Sequence, residues 1–297
     1  MSATGPYDDP MFVEERDVRD VHSGRLAVRG RAANVAVVMM QRDEDRMLDP
    51  WLRYHAHVFG AGNLHVLDNG SSLPGVRERL ERAAAEGVRI VTDYAGPEHA
   101  ANRGVLIGGL LRELEAEGFD FLMPLECNAF VAHQAPDGRV GCGPDTVLGH
   151  LNADHKDDPR LLLIRGAYLN VPGQPGFYFF KNQRRCFFAR GSVGGLDAGL
   201  HRGASRRSPE EVLTALVHVH YRFPPYTLLD DAARAALDAL RDTAAAEGLK
   251  GFKGKAEGMS FAAADEAQYH AFFRRFDRVP LASLKMALKR RGCSLPD

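Results

Sequence analysis

The sequence predicts an α/β protein built on a mixed, mainly parallel sheet flanked by helices. Three observations carry that expectation. Strand-like and helix-like patterns alternate from residue 34 to residue 128. The run Asn34-Val35-Ala36-Val37-Val38-Met39-Met40 is apolar without alternation, as a strand buried on both faces requires. Polar and acidic residues follow each strand, at the carboxyl edge where open α/β sheets bind ligands.

The elements justify themselves in order. The first thirty-three residues are polar and irregular, with a turn at His22-Ser23-Gly24 and a short strand at Leu26-Ala27-Val28. After the first buried strand, Met47, Leu48, Trp51, Leu52, His55, Val58 and Phe59 recur at helical spacing, and Gly60 and Gly62 end the helix. Leu64–Leu67 reads as a second strand closed by the turn residues Asp68-Asn69-Gly70-Ser71-Ser72. A short charged helix spans Gly75–Gly87, a third strand Val88–Val91, and a helix His99–Glu117. Phe119–Leu125 is a fourth strand, ending at Glu126-Cys127-Asn128. Beyond Pro136, strand-like runs appear at Arg160–Leu169, Gly176–Phe180 and Arg185–Ala189. Asp145, Asp154, Asp157 and Asp158 fall in a loop. A helix carrying Glu210, Val212, Leu213, Leu216 and Val217 follows. Asp230–Glu247 and Ala262–Phe276 read as helices. A last basic helix has Leu281, Leu284 and Leu288 on one face. The expected organisation is an irregular segment 1–33, an α/β half 34–135, a second half 136–230 of the same domain, and a C-terminal helical extension 231–297.

Composition bounds the function. The chain has 297 residues, 45% hydrophobic and 26% charged, enough to bury a core and unlike a disordered protein. A net charge of −1 argues against a surface devoted to nucleic acid. No run is long and apolar enough to span a membrane. The opening Met1–Pro6 lacks the pattern of a signal peptide, and the basic last helix is poor in bulky apolar residues, so no membrane association is expected. Four scattered cysteines without a CxxC pair suit a reducing cytoplasm. No GxxxxGK[ST] loop or GxGxxG follows the first strand, and Gly104–Gly109 lies within a helix, which disfavours nucleotide kinases and NAD dehydrogenases.

Four segments carry a resemblance. Val38-Met39-Met40-Gln41-Arg42-Asp43-Glu44 with Trp51-Leu52-Arg53-Tyr54-His55 is similar to the opening of bacterial family-2-like and family-92-like glycosyltransferases. Val66-Leu67-Asp68-Asn69-Gly70-Ser71-Ser72 is similar to their "YDNGSTD" segment. Phe119–Val131 resembles their segment ending in Asp-x-Asp-Glu, and Leu216–Arg222 resembles a "HYHYRS" element. The order and spacing of the four, across residues 34–230, resemble the GT-A glycosyltransferase fold. The resemblance implies transfer of a sugar from a UDP- or GDP-sugar to a hydroxyl on a glycan or small molecule, with inversion.

It also implies site roles. Gln41, Asp43, Glu44, Asp68, Asn69, Asn102, Arg103, Lys181, Arg184 and Arg202 would hold the nucleotide sugar. Glu126, Asn128, His201 and His220 would hold a divalent cation, Mn²⁺ or Mg²⁺, that offsets charge on the leaving diphosphate. The family's Asp-x-Asp-Glu reads Glu126-Cys127-Asn128-Ala129 here, so two anionic ligands are gone. A weaker metal site, a metal-independent transferase and a fold that has lost catalysis all remain open, as does another nucleotide-using α/β transferase.

Residues 159–207 hold nine Lys/Arg against one acid, Asp197. Their balance of +8 leaves −9 for the rest of the chain. Such cations can hold a diphosphate or simply form a solvated surface. Asp197, between Gly194-Gly195 and Gly199, is the expected catalytic base for the acceptor hydroxyl. His218 and His220 alternate, so they share a face. His55 and Cys127 read as core residues.

Overall fold

The computed structural model describes residues 33–227, 266–274 and 276–290. The first half runs β1 (Val35–Gln41), α1 (Leu48–Phe59), β2 (Leu64–Asp68), α2 (Pro74–Ala85), β3 (Arg89–Val91), α3 (Pro97–Ala101), α4 (Arg103–Ala116) and β4 (Phe121–Leu125). The second half adds β5 (Ala129–Gln134), β6 (Val140–Gly141), α5 (Pro144–Asp154), β7 (Leu161–Ile164), β8 (Ala167–Asn170), β9 (Phe177–Lys181), β10 (Arg185–Ala189), β11 (Val193–Leu196), β12 (Gly203–Ser205), β13 (Glu211–Leu213) and β14 (Leu216–His220). The described C-terminal residues form α6 (Glu266–Arg274), β15 (Val279–Pro280) and α7 (Ala282–Lys289).

These elements make an α/β protein with two mixed sheets. The larger has the order β13-β7-β10-β4-β1-β2-β3, the smaller β15-β9-β8-β14-β5-β6, and β11 pairs with β12. The β4-β1-β2-β3 stretch is parallel. Strand β10 is antiparallel to both its neighbours, β4 and β7. The larger sheet is covered on both faces, as the unbroken apolar run of β1 demands. Val35, Val37 and Met39 pack in a core with Leu48, Trp51 and Val58 of α1. Ala36, Val38 and Met40 pack in another with Ile107, Leu110, Leu111 and Leu114 of α4.

Helix α1 also ties the two sheets together. The Tyr54 hydroxyl donates to the Val131 carbonyl of β5 at 2.6 Å. His55 is fully buried and donates from Nδ1 to the Trp51 carbonyl at 2.9 Å. Burial pushes its pKa down to about 3. Leu281, Leu284 and Leu288 are buried in the main core, so the apolar stripe of the basic last helix is spent on packing.

The structure corrects four expectations. Glu210–Val217 is not a helix: β13 pairs with β7, and β14 lies between β5 and β8. All five residues of β14 are buried, so no amphipathic period distinguishes strand from helix there. Asp145 and Asp154 lie on α5 rather than in a loop; Pro144 opens that helix at the first position, where its missing N–H costs nothing. The helix expected over His99–Glu117 breaks at Asn102 into α3 and α4, and the run Arg160–Leu169 breaks at Arg165-Gly166 into β7 and β8. The strand at 26–28 and the helix at 230–247 lie outside the described residues. No helix among the described residues is long and apolar enough to cross a membrane.

Candidate functional site

Two polar clusters sit on the carboxyl edge of the parallel strands. The first joins the ends of β1 and β2, which register sets side by side through Gln41 and Asp68. The Gln41 amide donates to Asp68 Oδ1 at 2.7 Å and to Ser71 Oγ at 3.1 Å. Its carbonyl accepts the Glu44 N–H, and Glu44 in turn accepts the Met47 N–H ahead of α1. Asp43, with φ of 52°, accepts the Ser72 and Leu73 N–H groups at 2.7 and 2.8 Å in front of α2. The Leu73 and Ser72 contacts hold its carboxyl below the usual range. Asn69 donates to the carbonyls of Tyr94 and Gly96 at 2.5 and 2.8 Å. These side chains build the rim of the edge by satisfying one another and the turns between elements.

The second cluster forms where β4 ends, β10 begins and β14 ends. Because β10 is antiparallel, its head meets the tail of β4: Phe188 pairs with Leu122, which sets Arg185 beside Leu125 and Glu126. The Arg185 guanidinium reaches Glu126 Oε2 from Nη2 at 2.5 Å and from Nε at 3.2 Å. Its Nη1 donates to the Arg184 carbonyl at 3.1 Å and to His201 Nδ1. Arg185 is 2% exposed overall, and the Glu126 side chain 21%. His220 pairs with Ala129 at the start of β5, which brings its Nε2 to 3.8 Å from Glu126 Oε2.

The electrostatics follow from these neighbours. Burial raises the Glu126 pKa, but Arg185, His220 and Arg103 together outweigh it, so the carboxyl is held below its usual range. Burial, then the Arg185 charge, lowers His201. Burial takes His220 down to about 4 and His218 well below the usual histidine range. Both ring nitrogens of His218 and Nδ1 of His220 are buried without a hydrogen-bond partner. Burial, with Glu44 nearby, raises the Cys127 thiol, which is therefore not a reactive thiolate.

The remaining expected residues divide. Arg103, opening α4, donates to the Ala198 carbonyl at 2.8 and 2.5 Å, close enough for its charge to act on Glu126. Asp197 Oδ1 accepts the N–H groups of His201 and Arg202 at 2.8 and 2.9 Å, so it organises the turn between β11 and β12. The Arg184 side chain is half-buried and that of Arg202 exposed. Asn102 donates to the Glu98 carbonyl at 3.0 Å in the break between α3 and α4. Lys181 is exposed at the end of β9, in the other sheet.

Three of the four residues expected to hold a metal are engaged by the protein itself. Glu126 is engaged by Arg185, His201 Nδ1 faces the same guanidinium, and the Asn128 amide donates to the Tyr221 carbonyl at 3.3 Å. Among the described residues no group of three or more His, Cys, Asp or Glu side chains is arranged to hold a metal ion. Sequence reasoning counted Arg185 only as one of nine basic residues and did not place it in the site. Its signal is the register of β10 against β4, which becomes visible only once the strand's direction is known. The chain matches no family model and no curated protein.

Proposed function

We propose that this chain is a glycosyltransferase of GT-A type, moving a sugar from a UDP- or GDP-sugar to a hydroxyl of a glycan or small molecule, in a reducing cytoplasm. The observation that carries the reading is the ionised Glu126 at the carboxyl end of β4, on the same edge as the Gln41–Asp68 cluster. Four motif resemblances in the family's order support it, as does an antiparallel strand inserted beside four parallel ones.

The geometry suggests how such a site works. Rigid strand ends fix the polar groups before ligand arrives, so little reorganisation is needed as charge develops on a leaving diphosphate. Arg103 supplies positive charge at the amino end of α4. His201 Nδ1 lies between the Arg185 guanidinium, which only donates, and the Arg184 carbonyl at 3.1 Å, which only accepts.

A second reading, a relative that binds nucleotide sugar without turning it over, is favoured by the engagement of Asp197 in its own turn. One panel separates the two: thermal shifts with UDP, GDP and their sugars, followed by a hydrolysis assay on whichever donor binds. Stabilisation by a nucleoside diphosphate with sugar release supports the transferase, and stabilisation without release supports the binding relative. No stabilisation by any of them sinks both.

A further inference from the structure

The acid motif after β4 is judged by which cation it faces, and here that cation belongs to the protein. Glu126 Oε2 receives both Nε and Nη2 of Arg185. The other groups whose charge acts on Glu126 are Arg103 and His220, so every charge effect on it comes from a basic side chain. Cys127, Asn128 and Ala129 add no anion. A divalent ion placed here would meet a carboxylate already neutralised and a guanidinium at contact distance. At low dielectric that repulsion is severe.

We infer that Arg185 holds the position a divalent cation would take on Glu126, and that the centre receives phosphate-bearing ligands through the protein's own cations, Arg103 foremost, without a metal. The phosphate ligand rests on the transferase reading above; the assignment of the cation position does not. Arg185 cancels Glu126 by direct contact. Arg103, whose two Nη1 protons are not used on Ala198, supplies a further charge near enough to act on Glu126.

Charge cancellation makes signed predictions for the full chain. The probes are Co²⁺, Mn²⁺ and inorganic pyrophosphate, the last titrated in EDTA. The wild type binds pyrophosphate in EDTA and shows no Co²⁺ or Mn²⁺ uptake. R185Q bares Glu126 and opens the guanidinium's volume toward His201 and His220. It gains Co²⁺ binding, seen in the visible spectrum, and binds pyrophosphate roughly tenfold more weakly. E126Q leaves Arg185 uncancelled and binds pyrophosphate more tightly, with no metal uptake. In E126Q/R185Q, which buries no unpaired charge and so guards against misfolding, the metal affinity gained by R185Q is lost. Circular dichroism checks that each variant is folded.

Metal uptake by the wild type equal to that of R185Q overturns the inference. So does pyrophosphate binding that requires Mn²⁺, or an unchanged pyrophosphate affinity in folded R185Q and E126Q alike. Pyrophosphate binding in EDTA with no preference for UDP or GDP keeps the inference and discards the transferase. UDP or GDP binding only with Mn²⁺ does the reverse, and no anion binding at all discards both.

Discussion

At residue scale the most instructive position is Asp197. Its carboxylate accepts two backbone N–H groups, and its own N–H donates to the Arg202 carbonyl at 2.9 Å. Within the same turn Leu200 takes φ of 59°, a left-handed conformation that a leucine rarely adopts. Such strain persists only where surrounding bonds over-determine it. Asp197→Ala is expected to cost about 1–2 kcal/mol in chemical denaturation, because two N–H groups lose an acceptor. Asp197→Asn keeps a carbonyl oxygen in place and should recover most of that loss. If Asp197 served as base, the Asn variant would instead keep its stability and lose turnover. The sequence showed a lone acid between glycines, which either role explains. Only the hydrogen bonds show how the carboxylate is used.

At element scale, packing between α4 and the end of β11 depends on one hydrogen atom. A Cβ on Gly104 would stand 2.5 Å from the Asp197 carbonyl carbon and 2.6 Å from the carbonyl oxygens of Asp197 and Leu196. Gly104→Ala must push the helix from the turn, at an expected cost of about 1–3 kcal/mol, and with it weaken anion binding at Arg103. Gly108, one turn on, meets nothing closer than 3.8 Å. Gly108→Ala should be neutral or gain up to about 1 kcal/mol from helix propensity. Paired urea titrations check the contrast, and equal costs at the two positions would refute it. The elements of the first half were legible in the sequence because strands with both faces covered alternate with amphipathic helices. The second half was less so. β14 is buried along its whole length, β13 is a three-residue edge strand, and α5 hides behind Pro144 and Gly149.

At the scale of the whole molecule, four of the nine basic residues in 159–207 are stitching. Arg185 pairs with Glu126, Arg190 with Asp120, Arg206 with Glu115, and Arg160 with Asp158. Three of these pairs join the second half to acids of the first. Three of the nine basic residues of that stretch are therefore cancelled across the interface between halves. A second global property is a set of histidines kept neutral by burial: His55 at about 3, and His65, His150 and His220 at about 4. Their folded values lie below the unfolded value near 6.5, so between pH 6.5 and about 4 the unfolded chain takes up protons that the native chain refuses. Stability is complete above that window and falls as pH falls through it. At pH 5, His55 and His220 are each expected to remove about 2 kcal/mol. Denaturant midpoints at pH 7.5 and pH 5 measure the loss, and coincident midpoints would contradict it.

The reversed direction of β10 has a consequence for how such proteins diverge. In a sheet of purely parallel strands, only the residues leaving each strand reach the ligand edge, so the edge's charge is written in those segments alone. Here one strand enters at that edge, and its first residue lies 59 positions from the acid it faces. If Arg185 holds the cation position on Glu126 as proposed, a single codon at position 185 sets whether the edge welcomes a cation or an anion, while every acidic residue stays as it is.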